Sequence, residues 1–267
     1  MSTATPPRSS IDPLGKAPKP SIERSRFWIV DFYRSAMGKK YVMALSGIIG
    51  LGFIVVHALG NLHVYEGAVK FTEYGEGLRE IGEPLVPRTF LLWIGRLGLL
   101  GALLVHVHAA YTLTWQNRKA RPVKYQSARS YITADYASRT MIYTGTILLA
   151  FIVFHLADLT WGWTTDEYVR GAITNNLTAS LSRIPVALFY ILAVLALGTH
   201  IYHGTWSLFQ TLGLNSTRFN AWRRYLAIGL TVVVTGINLT FPLGTLFGVI
   251  ECNTECEAVV EEFEEEE

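Results

Sequence analysis

Charge is scarce in this chain: Asp, Glu, Lys and Arg together make up 16% of its 267 residues, where a soluble domain typically carries about 25%. Half of the residues are hydrophobic and 12% are aromatic, and the mean hydropathy is +0.28. That balance excludes a disordered chain and weighs against a soluble globule. Cysteine is scarcer still. Two thiols cannot build a disulfide framework or a four-cysteine metal site, and both fall in one stretch, Cys252-Asn-Thr-Glu-Cys256. The alternating segments of about ten residues that mark a membrane barrel are missing, as are solenoid repeats and any nucleic-acid module. The first 26 residues are rich in Ser, Pro, Lys and Arg and lack the apolar core and cleavage site of a signal peptide. They are expected to form a disordered, uncleaved cytoplasmic arm.

What the chain does have is five long apolar runs: Tyr41 to Leu62, Phe90 to Trp115, Thr140 to Trp161, Pro185 to Leu212 and Tyr225 to Ile250. Each can cross about 30 Å of hydrocarbon at about 1.5 Å per residue. Lipid offers no partner to a free N–H or C=O, so all five are expected to be helices. The fold expected is therefore all-α, an integral membrane bundle of five transmembrane helices over 27–250, followed by an acidic tail over 251–267. Basic residues orient it. The segment up to Lys40, the link Arg118 to Arg139 and the link Arg218 to Arg224 carry 17 Lys or Arg, against six on the alternate side, counting Arg96 within its span. The amino terminus is expected inside and the tail, with nine glutamates from Glu251 to Glu267, outside. The loop from Tyr65 to Pro87 has room for a short interfacial helix.

Ionisable residues within a span are costly and usually bind or relay something. All seven histidines lie in or beside the first four spans: His57, His63, His106, His108, His155, His200 and His203. His57 follows Tyr41 by 16 residues and His155 follows Arg139 by 16, which places both about 24 Å from the inner surface at the helical rise. His108 precedes Gln116 by 8 residues and His200 precedes Leu212 by 12, which places them about 12 to 18 Å from the inner end. Two pairs at two depths, each drawn from two helices, are what two stacked bis-histidine haems require. His106 and His108 are about 200° apart on a helix, so only one can face the centre, whereas His200 and His203 lie on nearly one face.

The surroundings of these residues resemble the single-chain, five-span, dihaem cytochrome b anchor of succinate dehydrogenase and fumarate reductase. The matching pieces are Val55-Val56-His57-Ala58-Leu59-Gly60-Asn61, His108-Ala109-Ala110-Tyr111, Arg139 with Thr144-Gly145 and Phe154-His155, and His200 four residues before Gly204-Thr205-Trp206-Ser207. The resemblance implies His57 with His155, and His108 with His200, as axial ligands of two b haems. It also implies Arg139 as a haem-propionate partner and Glu66 as a group exchanging protons with a quinone, typically menaquinone. Succinate chemistry would then belong to separate flavoprotein and iron-sulfur subunits docked on the inner face of a bacterial plasma membrane, since this chain has neither a dinucleotide fingerprint nor cysteines for three clusters.

One feature departs from that pattern. Cys252 and Cys256 emerge on the outer side, at a height not far from His57, His63 and His155. Two thiolates and two imidazoles are the ligands of a Rieske-like [2Fe-2S] centre, an alternative to the outer haem. A disulfide is the nearer reading in an oxidising compartment. Rival functions are a dihaem b subunit of another respiratory dehydrogenase or hydrogenase, and a histidine-lined transporter, although no broken-helix repeat favours the latter.

Overall fold

The computed structural model describes residues 27–120, 136–214 and 216–265. Among them are nine α-helices and no strand: α1 (Trp28–Arg34), α2 (Ala36–Asn61), α3 (Ala68–Glu80), α4 (Phe90–Lys119), α5 (Tyr136–Leu159), α6 (Ile173–Leu181), α7 (Ile184–Thr211), α8 (Thr217–Leu246) and α9 (Thr254–Glu265). Five are long and apolar enough to cross a membrane, and they are the five expected: α2, α4, α5, α7 and α8. Their ends moved by up to eight residues. The segment Arg218 to Arg224, expected as a loop, is the first part of α8, because nothing in it breaks a helix and Arg223 is buried there. The expected arm over 1–26 and most of the link from Arg118 to Arg139 lie outside the described residues.

Local chemistry accounts for several boundaries. Ser35 accepts the Gly38 N–H at 2.9 Å and so caps α2, while Pro185 occupies the first turn of α7, where its missing N–H costs nothing. Along the spans, large apolar residues such as Leu97, Leu104, Leu188 and Val232 stand exposed, as lipid-facing residues do when the bilayer, not water, surrounds them.

The packing is uneven. α7 packs extensively on α8 and on α5, and α2 packs on α4. By contrast, α2 makes little close backbone contact with α5, and α4 little with α7. The bundle thus has two closely packed groups, α2/α4 and α5/α7/α8, joined where α2 also packs on α7 and α8; α2 stands farther from α5, and α4 from α7, and that wider separation is the slot. One end of this bundle is basic, carrying Lys119 and Arg218. The opposite end is capped by α3, α6 and α9. There Val64, Phe71, Leu181, Tyr190, Phe241 and Ile250 form the main buried cluster, and Ala68, Ala172, Cys256 and Val259 form a second under α9. The expected short helix between the first two spans is α3, and the acidic tail is largely helical. Gly67 opens α3 with φ of 110°, and the Glu255 carboxylate lies 2.9 Å from where a Cβ would stand. Glu255 also accepts the Val69 N–H at 3.1 Å, which fastens α9 to the N-terminus of α3.

Candidate functional site

Both histidine pairs cross the slot. His57 of α2 faces His155 of α5 with ring centroids 6.0 Å apart, and His106 of α4 faces His200 of α7 at 6.4 Å. The pairing of His57 with His155 is the one expected from depth. The second pair differs from the one the resemblance implies: the ring that faces His200 is that of His106 and not that of His108. With the two only about 200° apart on the helix, turning His106 inward turns His108 away. His108 instead stacks on Tyr33 of α1, with centroids 5.8 Å apart, and shares a hydrogen bond with its hydroxyl. His203 shares a hydrogen bond with Ser207 at 3.0 Å. His63 stacks on Tyr74 at 4.7 Å and pairs with Glu66 at 3.1 Å.

The hydrogen bonds around each pair define which ring nitrogen is available. The Ser46 hydroxyl donates to the Val42 carbonyl at 2.6 Å, so toward His106 Nδ1, 3.0 Å away, it can only accept. Thr144 donates to the Met141 carbonyl at 3.1 Å and in the same way accepts from His200 Nδ1 at 3.2 Å. Tyr190 donates to Asp158 at 2.9 Å and accepts from His155 Nδ1 at 3.3 Å. The Asn61 amide donates to His57 Nε2 at 3.3 Å. With these hydroxyls accepting, His106, His155 and His200 carry their proton on Nδ1 and a lone pair on Nε2, the state of a metal ligand whose second nitrogen is held by an outer partner, whereas His57 is held at Nε2 itself, by the Asn61 amide.

Glycines make room for the rings of the basic-end pair. A Cβ on Gly47 would lie 3.6 Å from His106, and one on Gly145 would lie 3.4 Å from His200. The two pairs are separated by ten residues on α7, from Tyr190 beside His155 to His200, and by eleven on α2, from Ser46 beside His106 to His57. Either count puts the levels about 15 Å apart along the axis.

Sequence reasoning missed two groups. The first surrounds Asp158, whose side chain is 0% exposed. It receives hydrogen bonds from Thr164, Ser180 and Tyr190 and pairs with Arg183 at 2.7 Å. The visible signal was its position three residues after His155, on the same helix face. The second is Arg223, only 3% exposed, which lies over the Trp206 ring at 4.0 Å and donates to Asn220 at 2.8 Å. Its Nε and Nη1 have no partner, and buried donors in that state call for an acceptor. The expected propionate partner, Arg139, sits in the first turn of α5 with its side chain outside the described residues. Glu66 is 56% exposed and paired with His63.

Cys252 and Cys256 are bonded to each other. They lie with Ala68, Ala172 and Val259 beneath α9, and no thiolate remains for the alternative [2Fe-2S] centre in this form. Among the described residues, no group of three or more His, Cys, Asp or Glu is arranged to hold a metal ion. Two imidazoles alone fall short of the three or four protein ligands of a zinc site. They are enough where a macrocycle supplies the remaining donors. The ring centroids of the two pairs, 6.0 and 6.4 Å apart, would leave room for a metal ion between the rings at metal–nitrogen distances of about 2 Å.

No protein-family model, curated protein or solved structure matches the chain. Its fold defines it as an all-helical protein with five candidate membrane spans.

Proposed function

We propose that this chain is the membrane anchor of a succinate:quinone oxidoreductase, holding two b haems between its helix groups and carrying electrons between an iron-sulfur subunit and membrane quinone. The observation that carries the haem assignment is the pair of facing imidazoles at each of two depths, with every Nε2 lone pair left for a ligand by a partner on the opposite nitrogen or by a donor that a metal can replace. Support for the succinate enzyme in particular comes from the motifs around His57, His155 and His200.

Bound haem supplies one-electron transfer. The chain supplies the rest. His57 and His155 would hold one haem, and His106 and His200 the other. Ser46, Thr144 and Tyr190 hold the ring protons on Nδ1, which keeps each Nε2 free to ligate. Arg223, six residues' rise or about 9 Å below His200 through its stack on Trp206, offers two free donors to a haem carboxylate. The exposed apolar faces keep both sites within hydrocarbon. The basic end suits docking of the flavoprotein and iron-sulfur subunits inside a bacterial plasma membrane, and Glu66 stands at the capped end for proton exchange with a quinone such as menaquinone.

The test is a dithionite-reduced-minus-oxidised spectrum of the purified complex with haem and iron quantified per chain. Two haems, and copurification with a flavin-bearing subunit, are expected. A chain without visible absorbance that carries solute across vesicles would be a transporter. Orientation has its own test: in intact spheroplasts, protease should remove a tag placed after Glu267 and spare one placed before Ser2.

A further inference from the structure

The two histidine pairs differ in what stands behind their rings. At the basic end, the hydroxyls of Ser46 and Thr144 pass their protons to peptide carbonyls, which are neutral dipoles. At the capped end, the Tyr190 hydroxyl passes its proton to Asp158, a carboxylate paired with Arg183. We propose that Tyr190 and Asp158 are positioning residues that lock the His155 proton on Nδ1 and give the capped-end site a redox potential of its own. This inference rests on the haem reading above.

The protons available to this group decide the tautomer. A phenol has one proton, and here the strongest acceptor within reach is an ionised carboxylate. With that proton committed at 2.9 Å, Tyr190 presents only lone pairs to His155, 3.3 Å away. The imidazole must answer with Nδ1–H, and Nε2 is left to ligate. Asp158 is itself held in place by donors from three directions: Thr164 in the loop after α5, Ser180 in α6 and Arg183 just before α7. Arg183 also donates to the Thr164 carbonyl at 2.7 Å, so the carboxylate cannot swing away from Tyr190 without breaking several bonds. A negative charge relayed through one hydroxyl makes the bound imidazole a more basic ligand, which favours the more highly charged state of the iron. The site at the capped end is therefore expected at the lower potential, with Arg183 offsetting part of the effect.

Tyr190→Phe removes the hydroxyl and keeps the ring, which packs edge-on against Phe151 at 4.9 Å. The experiment is a redox titration of the full-length, purified complex, followed at the haem absorbance. Haem content should stay at two per chain. One of the two waves should rise, its ferrous-to-ferric ratio at fixed potential changing about tenfold, or about 59 mV for one electron, while the other stays in place. The double variant Asp158→Asn, Arg183→Gln removes the ion pair as a unit and should move the same wave in the same direction. It also answers the question if Tyr190→Phe fails to assemble. Two haems with both waves unmoved, or both moved equally, overturn the inference and leave the haem reading intact. A wild-type chain without haem overturns the haem reading, and the inference falls with it.

Discussion

The two histidine pairs share a geometry and differ in their support. The His106–His200 pair has small residues around it, with Gly47 and Gly145 against the rings and Ser46 and Thr144 hydrogen-bonded to them, all on straight stretches of helix. The His57–His155 pair leans on a cap built from three elements and a buried ion pair. The first pair is set by the packing of helix on helix, α2 on α4 and α5 on α7. The second depends on the loop after α5, on α6 and on the start of α7 being folded together. A site deep in a bundle can be made from two helix faces, whereas a site near the end of the bundle must also be shielded from water, and that shielding introduces charge.

The most severe way to break the comparison is to remove ligands. His106→Ala or His200→Ala should each cost one of two haems together with quinone reduction, and His108→Ala should keep both, as read by pyridine haemochrome quantification. Retention of haem by His106→Ala with its loss from His108→Ala would restore the register implied by the family resemblance. Crowding comes next. Gly145→Leu would push side-chain atoms into the His200 ring, already 3.4 Å from a Cβ, and should empty that site alone. Gly101→Leu, with nothing within 4 Å of its Cβ, should leave both sites filled.

Stability separates the pairs more finely. Asp158→Asn leaves the half-buried Arg183 facing a neutral amide and should cost about 1–3 kcal/mol, visible as a lower thermal midpoint in detergent. Ser46→Ala at the other site should cost about 1 kcal/mol, the worth of an ordinary hydrogen bond. No effect on either histidine pair is expected from Cys252→Ser with Cys256→Ser. The disulfide closes a loop so short that its loss should cost about 2 kcal/mol at most, with haem content unchanged. Loss of iron and sulfide in that variant would instead assign the thiols to a cluster.

The spans and the common level of His57 and His155 were readable in the sequence because both depend on rise per residue, which a helix keeps constant. His57 and His155 could be paired by counting. The choice between His106 and His108 could not, since it depends on how α4 is rotated about its own axis. That rotation is set by contacts with α2, including Ser46, sixty residues away. Asp158 escaped notice for a related reason. At the end of an apolar run, an aspartate reads as the point where the chain meets water, and only the tertiary fold brings Ser180, Arg183 and Tyr190 around it. Arg223 was counted as a loop charge because its burial depends on Trp206 in a different helix.

The clasp of α9 on α3 has a mechanical consequence. Glu255 ties the segment after the last span to the segment after the first, so at the capped end the chain closes on itself like a ring. Helices tied together at one end fray most easily at the other, so local opening of the bundle is expected to begin at the basic end. Hydrogen exchange should accordingly be fastest in the basic-end turns of α4 and α8 and slowest beside the clasp.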